Sequence, residues 1–253
     1  MAVDLLLVDA LNLIRRIYAA QPESDEALED TLRGSIHGVL RNQQKLDCTH
    51  IAVVFEGREA TWRHKLQPDY KAGRKPMPDS LAEALPGFKQ AFLDVGITSI
   101  EYPQWEADDV IATLANKVAE AGRSACILST DKGFCQLISD KVLVRDHFKR
   151  RNLDAMYVMD RYGVEPEQIG DALALSGDTT NHIPGVPGIG LKTAAKLLAE
   201  YGDLDQILIE ADNVGGRIGG LLKEYFQVAL LARKLVLLKQ DCELHLSLNQ
   251  LRY

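Results

Sequence analysis

Four short apolar runs, each handing over to an acidic residue, constrain the fold of this chain most. Val3 to Val8 stops at Asp9, Ile51 to Phe55 stops at Glu56-Gly57, Ile97 to Tyr102 leads to Glu106, and Ala125 to Leu128 ends at Ser129-Thr130-Asp131. Leu11, Ile14 and Ile17 follow the first run at helical spacing, and Val110, Ile111, Leu114 and Val118 follow the third, so strands alternate with helices. That order predicts an α/β fold, a mainly parallel sheet with helices on both faces, whose ligands bind outside the carboxyl ends of the strands. Asp9, Glu56, Glu106, Asp108, Asp109 and Asp131 are therefore expected in one crevice. Each acid taken singly is more simply a helix cap or a solvated first-turn carboxylate, favoured there by the macrodipole. Four coincidences weaken that explanation.

Glu106, Asp108 and Asp109 crowd one helix start, and carboxylates held so close repel, raising at least one pKa unless a divalent cation neutralises them. An oxygen-only donor set selects a hard ion, Mg²⁺ with Mn²⁺ as substitute. Such ions act on phosphates by polarising phosphoryl oxygens and activating water. Phosphodiester hydrolysis is the reaction class this chemistry predicts.

The 253 residues, 46% hydrophobic, suffice for one large domain or for a domain with a smaller one appended. No apolar run has the length of a membrane span, and the start Met1-Ala2-Val3-Asp4 lacks the basic region of a signal peptide, so a cytoplasmic protein is expected. Cys48, Cys126, Cys135 and Cys242 form no C-x-x-C pair and are expected to be reduced core thiols. A formal net charge of −7 argues against coating nucleic acid by bulk charge, yet basic residues cluster at 63–75, 149–151 and 192–196. An acidic total with basic islands suits a metal nuclease.

The basic, aromatic segment from Trp62 to Lys75 follows Glu56 and so belongs at the crevice mouth, where Lys71 and Arg74 are expected to face a scissile phosphate. His64 is assigned a structural role, while Trp62 and Tyr70 either stack on bases or pack, packing being the commoner role of such rings. From Pro166 the chain turns helical: Glu167 to Leu175, a Gly/Pro hairpin, then a helix carrying Lys192 and Lys196 one turn apart. Gly188 and Gly190 let the backbone approach a phosphate, and the helix that follows offers unpaired N–H groups, contacts that position DNA without reading its sequence. Leu191 intervenes between Gly190 and Lys192, and no strand precedes, so this is not a P-loop. Further on, Gly215 to Gly220 is expected to be a flexible connection and Leu221 to Leu238 one long helix.

Leu7-Val8-Asp9, Trp62-Arg63-His64 with Tyr70-Lys71-Ala72-Gly73-Arg74, Glu106-Ala107-Asp108-Asp109, Ser129-Thr130-Asp131-Lys132 and Ile183-Pro184-Gly185-Val186-Pro187-Gly188-Ile189-Gly190 together resemble the 5′ nucleases, or flap endonucleases, which include the nuclease domain of bacterial DNA polymerase I. The resemblance implies a PIN-like nuclease core over 1–160, with an arch near 58–85 carrying Lys71 and Arg74. It also implies a helix-three-turn-helix DNA-binding module within 161–253. By matching positions it implies Mg²⁺ ligands among Asp9, Glu56, Glu106, Asp108, Asp109 and Asp131. DNA contacts would come from Gly188, Ile189, Gly190, Leu191, Lys192, Thr193 and Lys196. K⁺ would be held by the backbone carbonyls of Leu175, Ser176, Pro184, Val186 and Ile189. The chain departs from the family pattern at Glu56, Gly133 and Asn181, where the family has aspartates. One well-held Mg²⁺ contacted chiefly by Asp108 is therefore expected, with any second ion weak or held through water.

The expectation is a monomeric, Mg²⁺-dependent nuclease that cuts 5′ flaps in branched DNA, with Asp108, Lys71 and Arg74 acting on the phosphate. Its rivals are a DNA-junction binding protein with little catalysis and a PIN-type ribonuclease, which shares the acidic sheet edge but does not need the hairpin.

Overall fold

The computed structural model describes residues 3–22, 24, 26–57 and 59–253; Met1 and Ala2 at the chain start and Arg58 of the expected arch lie outside the described residues. Strands β1 (Leu5–Asp9), β2 (His50–Phe55), β3 (Thr98–Glu101), β4 (Ala125–Leu128), β5 (Val142–Asp146) and β6 (Arg151–Leu153) form one sheet in the order β3-β2-β1-β4-β5-β6. β1 to β5 run parallel, and β6 is antiparallel to β5. The chain adds strands outward on one side through β3, then crosses to the other side at β4. The resulting switch point between β1 and β4 opens a crevice at their carboxyl ends. Asp9 ends β1 and Asp131 follows β4, so both stand there.

Helices α1 (Ala10–Tyr18), α2 (Ala27–Leu46), α3 (Trp62–Leu66), α4 (Asp79–Asp94) and α5 (Ala107–Glu120) accompany the parallel strands. Alternation sorts the strand residues between two faces: Leu6, Val8 and Val53 pack with α1, α2 and α4, whereas Leu5, Leu7 and Val54 pack with α5. The remaining helices are α6 (Ala155–Tyr162), α7 (Ile169–Ser176), α8 (Leu191–Tyr201), α9 (Leu204–Ile209), α10 (Ala211–Val214), α11 (Gly216–Glu224) and α12 (Phe226–Val236). The α5-side core runs without a break from Leu7 and Ile111 through Leu175 to Val186, Leu198 and Ala232, so the helical module is fused to the sheet. The expected α/β architecture is the observed one, and all four cysteines are buried and unpaired. Among the described residues no helix is long and apolar enough to cross a membrane.

Some local expectations fail. Gly215 to Gly220 is not a flexible connection, because α11 begins at Gly216. Burial of Leu222 and packing of Ile218 one turn before it outweigh the roughly 1 kcal/mol that each helical glycine costs. The single helix expected from Leu221 to Leu238 is broken at Tyr225 into α11 and α12, which lets α12 turn Ala229, Ala232 and Leu235 into the core. β5 and β6 add to the four expected strands. β5 ends in Arg145 and Asp146, both buried, and these charges mask its apolar start.

Candidate active site

Asp9 is fixed from two sides: one carboxylate oxygen accepts the Asn12 backbone N–H (3.1 Å), capping α1, and the other accepts the Ser129 hydroxyl (2.9 Å). Burial, with the charges of Asp131 and Glu56, pushes its pKa up to about 6 against those hydrogen bonds. Glu56, just past β2, accepts the Ala107 N–H (3.1 Å) at the start of α5. The next residue, Gly57, packs so closely on the segment before α5 that a Cβ would lie 2.4 Å from the Tyr102 carbonyl oxygen. Burial raises the Glu56 carboxyl, Glu106 adds to the rise, and Lys71 opposes it. Asp108 and Asp131 line a cavity of about 330 Å³ that reaches across to Asp178 and Asn181 of the hairpin. Burial lifts Asp108 well above the usual carboxylate range, with Asp9, Asp131 and Glu56 adding to it and Lys71 offsetting part. The Asp131 loop is pinned by its own Gly133 N–H (2.7 Å) and by Asn12, whose side-chain oxygen accepts from the Thr130 amide (3.0 Å).

Asp109 corrects an expectation. It is 0% exposed and faces away from the crevice, gripped by both Arg63 amino groups (2.8 Å each), the Trp62 indole (3.0 Å) and the Lys239 N–H (2.9 Å). Consecutive helical residues point about 100° apart, so Asp108 and Asp109 cannot both face one ion. Arg63, 1% exposed, was hidden in a basic run that reads as solvated; its guanidinium also donates to the Leu235 and Leu237 carbonyls. Glu106 is equally buried and accepts from Thr61 (2.7 Å), Tyr70 (3.2 Å) and the Lys71 ammonium (2.7 Å). Burial works to raise it, but Lys71 and Arg63 bring its pKa down to about 2. Glu106 thus reaches the crevice through Lys71.

The Lys71 ammonium lies 4.0 Å from Glu56, and Asp108, Glu56 and Glu106 keep it charged in spite of burial. Its backbone is left-handed (φ 60°), and its N–H donates to the Asn181 carbonyl (3.0 Å). Arg74 is exposed and donates to the Asn181 side chain, so the arch segment rests on the hairpin. His64 caps α3 through Thr61, and Tyr70 is buried, the packing roles expected of them.

Asp9, Glu56, Asp108 and Asp131 supply only hard oxygen donors, and a divalent cation would offset the burial, and the lesser mutual repulsion, that raise the first three. The donor chemistry therefore fits. Among the described residues no three His, Cys, Asp or Glu side chains stand as a finished metal cage, and the Lys71 ammonium is placed among the carboxylates.

In the hairpin between α7 and α8, Asp178 and Ile183 exchange backbone hydrogen bonds (2.9 Å each). Gly185 lies so close to the chain before it that a Cβ would stand 2.2 Å from the Gly177 nitrogen and 2.6 Å from the Leu175 carbonyl oxygen. The Leu175 and Val186 carbonyls accept the Val186 (2.8 Å) and Ile189 (3.0 Å) amides, which leaves each a second lone pair. Gly188, Gly190, Lys192 and Lys196 are exposed, but Ile189 is buried and can offer DNA only its backbone.

Residues 4–163 match the family described as 5′-3′ exonuclease, N-terminal resolvase-like domain, and residues 164–253 match the 5′-3′ exonuclease C-terminal SAM fold. The chain belongs to the 5′-3′ exonuclease family. Among relatives of this chain, the flap endonuclease Xni of Pectobacterium carotovorum subsp. carotovorum (strain PC1) is 44% identical, covering 100% of this chain and 95% of that protein. The solved structure of T5 5′-exonuclease with bound zinc covers 92% of this chain and 89% of its own, with a TM-score of 0.77 at 21% identity. The bacteriophage T5 flap endonuclease in a pseudo-enzyme-product complex with DNA and metal ions also scores 0.77, covering 92% and 88% at 22% identity. These two share the fold of this chain.

Proposed function

We propose that this exonuclease-family chain is a Mg²⁺-dependent 5′-flap endonuclease that acts on branched DNA without reading base sequence. The observation that carries the reading is Asp108, raised by burial and further by the carboxylates of Asp9, Asp131 and Glu56, in a cavity whose far wall is the hairpin. Asp108 with Asp9, Glu56 and Asp131 would hold the divalent ion, Glu106 and Asp109 acting behind them through Lys71 and Arg63. When bound, the cation supplies Lewis acidity to the phosphoryl group and neutralises the carboxylates. The Lys71 ammonium, oriented by Glu106, offers positive charge to the reacting phosphate, and Arg74 lies three residues beyond it on the same segment. Ser129 and Asn12 keep Asp9 oriented.

The module over 161–253 grips duplex phosphates through Gly188, Gly190, Leu191, Thr193, Lys192 and Lys196, and K⁺ on the carbonyls of Leu175, Ser176, Pro184, Val186 and Ile189 adds positive charge beside them. The core over 1–160 cuts, and the protein works as a cytoplasmic monomer. The test is cleavage of an end-labelled 5′-flap duplex in K⁺-containing buffer with Mg²⁺, with EDTA, and with Asp108→Ala. Incision near the junction that both controls abolish is expected. Tight flap binding without incision above the variant would make the chain a junction-binding protein instead.

A further inference from the structure

A second concavity, of about 650 Å³, opens beside the catalytic cavity and shares Arg16, Thr130, Lys132 and Arg161 with it. Its outer wall is the β5–β6 turn with Phe148, Lys149 and Arg151, and its floor is Tyr157 of α6. Five cationic side chains line it, Arg16, Lys132, Lys149, Arg151 and Arg161, against two carboxylates, Asp146 and Asp160, in a chain whose net charge is −7. Asp146 is already engaged by the Lys149 amide (3.0 Å) and faces Lys132 (4.0 Å).

Two aromatic rings are set among these cations. Phe148 is 42% exposed, with the Arg16 guanidinium 5.9 Å from its centroid. Tyr157 has Arg151 at 5.0 Å and Lys132 at 5.9 Å. The turn that carries Phe148 is braced at its far end, where buried Arg145 donates to the Arg150 carbonyl (3.3 Å) and to the Asn152 side chain (2.8 Å). An exposed phenylalanine on a braced turn inside a basic groove is a stacking platform, and only unpaired bases have free faces to stack.

We propose that this groove binds the unpaired 5′ arm of the flap, with bases on Phe148 and Tyr157 and phosphates along Lys149, Arg151 and Arg161. The proposal rests on the flap reading above and names where one part of that substrate lies. Duplex phosphates meet the hairpin on the other wall of the catalytic cavity, and a strand leaving Asp108 enters the groove across the shared residues Thr130 and Lys132.

The test is fluorescence anisotropy in EDTA, comparing a flap bearing an arm of about twelve nucleotides, the same arm made abasic, and the nicked duplex without an arm. Wild type is expected to prefer the base-bearing arm. Phe148→Ala is expected to weaken armed binding about tenfold and erase the preference over the abasic arm, with Phe148→Trp restoring it. Lys149→Ala with Arg151→Ala is expected to lower the slope of log K against log salt for the armed substrate by about 1.4, at about 0.7 per single-strand phosphate lost. Equal loss on the armless duplex, or no loss on any substrate, overturns the proposal. Because the assay needs no cleavage, a wild type that binds the arm in this way but never cuts refutes the flap reading alone.

Discussion

Arg63 and Asp109 show why identical side chains in one acidic or basic run do different work. A carboxylate with both oxygens on one buried guanidinium is a structural anion, and removal of either partner strands the other. Arg63→Ala is therefore expected to cost about 3–5 kcal/mol in urea denaturation. A loss under about 1 kcal/mol would show that water reaches Asp109. Lys71 is the contrasting case: its ammonium is held by carboxylates at the crevice, so Lys71→Ala is expected to lower kcat by about 10²–10³-fold while flap binding changes little. An equal loss in binding would reassign it to DNA placement.

His147 is buried with neither ring nitrogen hydrogen-bonded, and burial brings its pKa down to about 4, with nearby Arg16, Arg41 and Arg145 adding to the effect and Asp146 opposing it. An unfolded histidine takes its proton near pH 6.5, so between about 6.5 and 4 the unfolded chain binds more protons and stability falls as the pH drops. The loss approaches about 3 kcal/mol at full depth, and His147→Gln should flatten that part of the stability–pH curve relative to wild type. Parallel curves would show the ring already solvated.

At the scale of elements, the ends of β1, β2 and β4 are legible because these strands are fully buried and mostly apolar, and each stops at or just before an acid. The strand–helix alternation places the crevice at the carboxyl ends, and with it the meeting of Asp9, Asp108 and Asp131; the strand order β3-β2-β1-β4-β5-β6 comes from the structure. Which way each acid faces was not legible. The acids at 106, 108 and 109 sit at one helix start, and only the partners Arg63 and Lys71, some 35 to 46 positions away in sequence, decide which are structural. Arg145 hid β5 in the same way, because its buried guanidinium is satisfied by Asn42 (2.9 Å) and Asn152, residues on two other elements. The helix expected after the Gly/Pro hairpin is α8, and it carries its own test. Lys192→Ala and Lys196→Ala are each expected to weaken binding to any duplex sequence alike and to reduce the salt slope by about 0.9. A sequence-dependent effect would mean that α8 reads bases.

For the whole molecule, the decisive feature is that one apolar core serves both the sheet and the helical module. The last segment tightens the same unit: the Tyr253 N–H donates to the Thr49 carbonyl (2.9 Å) beside β2, and the Leu235 and Leu237 carbonyls receive Arg63 from the arch. With the arch resting on Asn181 of the hairpin, the crevice is framed by three parts of the chain that cannot separate without opening that core. The chain is therefore expected to unfold in one step. Fluorescence of Trp62 and Trp105, which report the arch and the crevice rim, should change at the same urea concentration as far-UV circular dichroism, to which α7 to α12 contribute heavily. Leu198→Ala, made deep in the module, is expected to cost about 2–5 kcal/mol and to move both midpoints together. If only the circular dichroism midpoint moves, the module unfolds by itself, and the catalytic crevice owes its shape to the sheet alone.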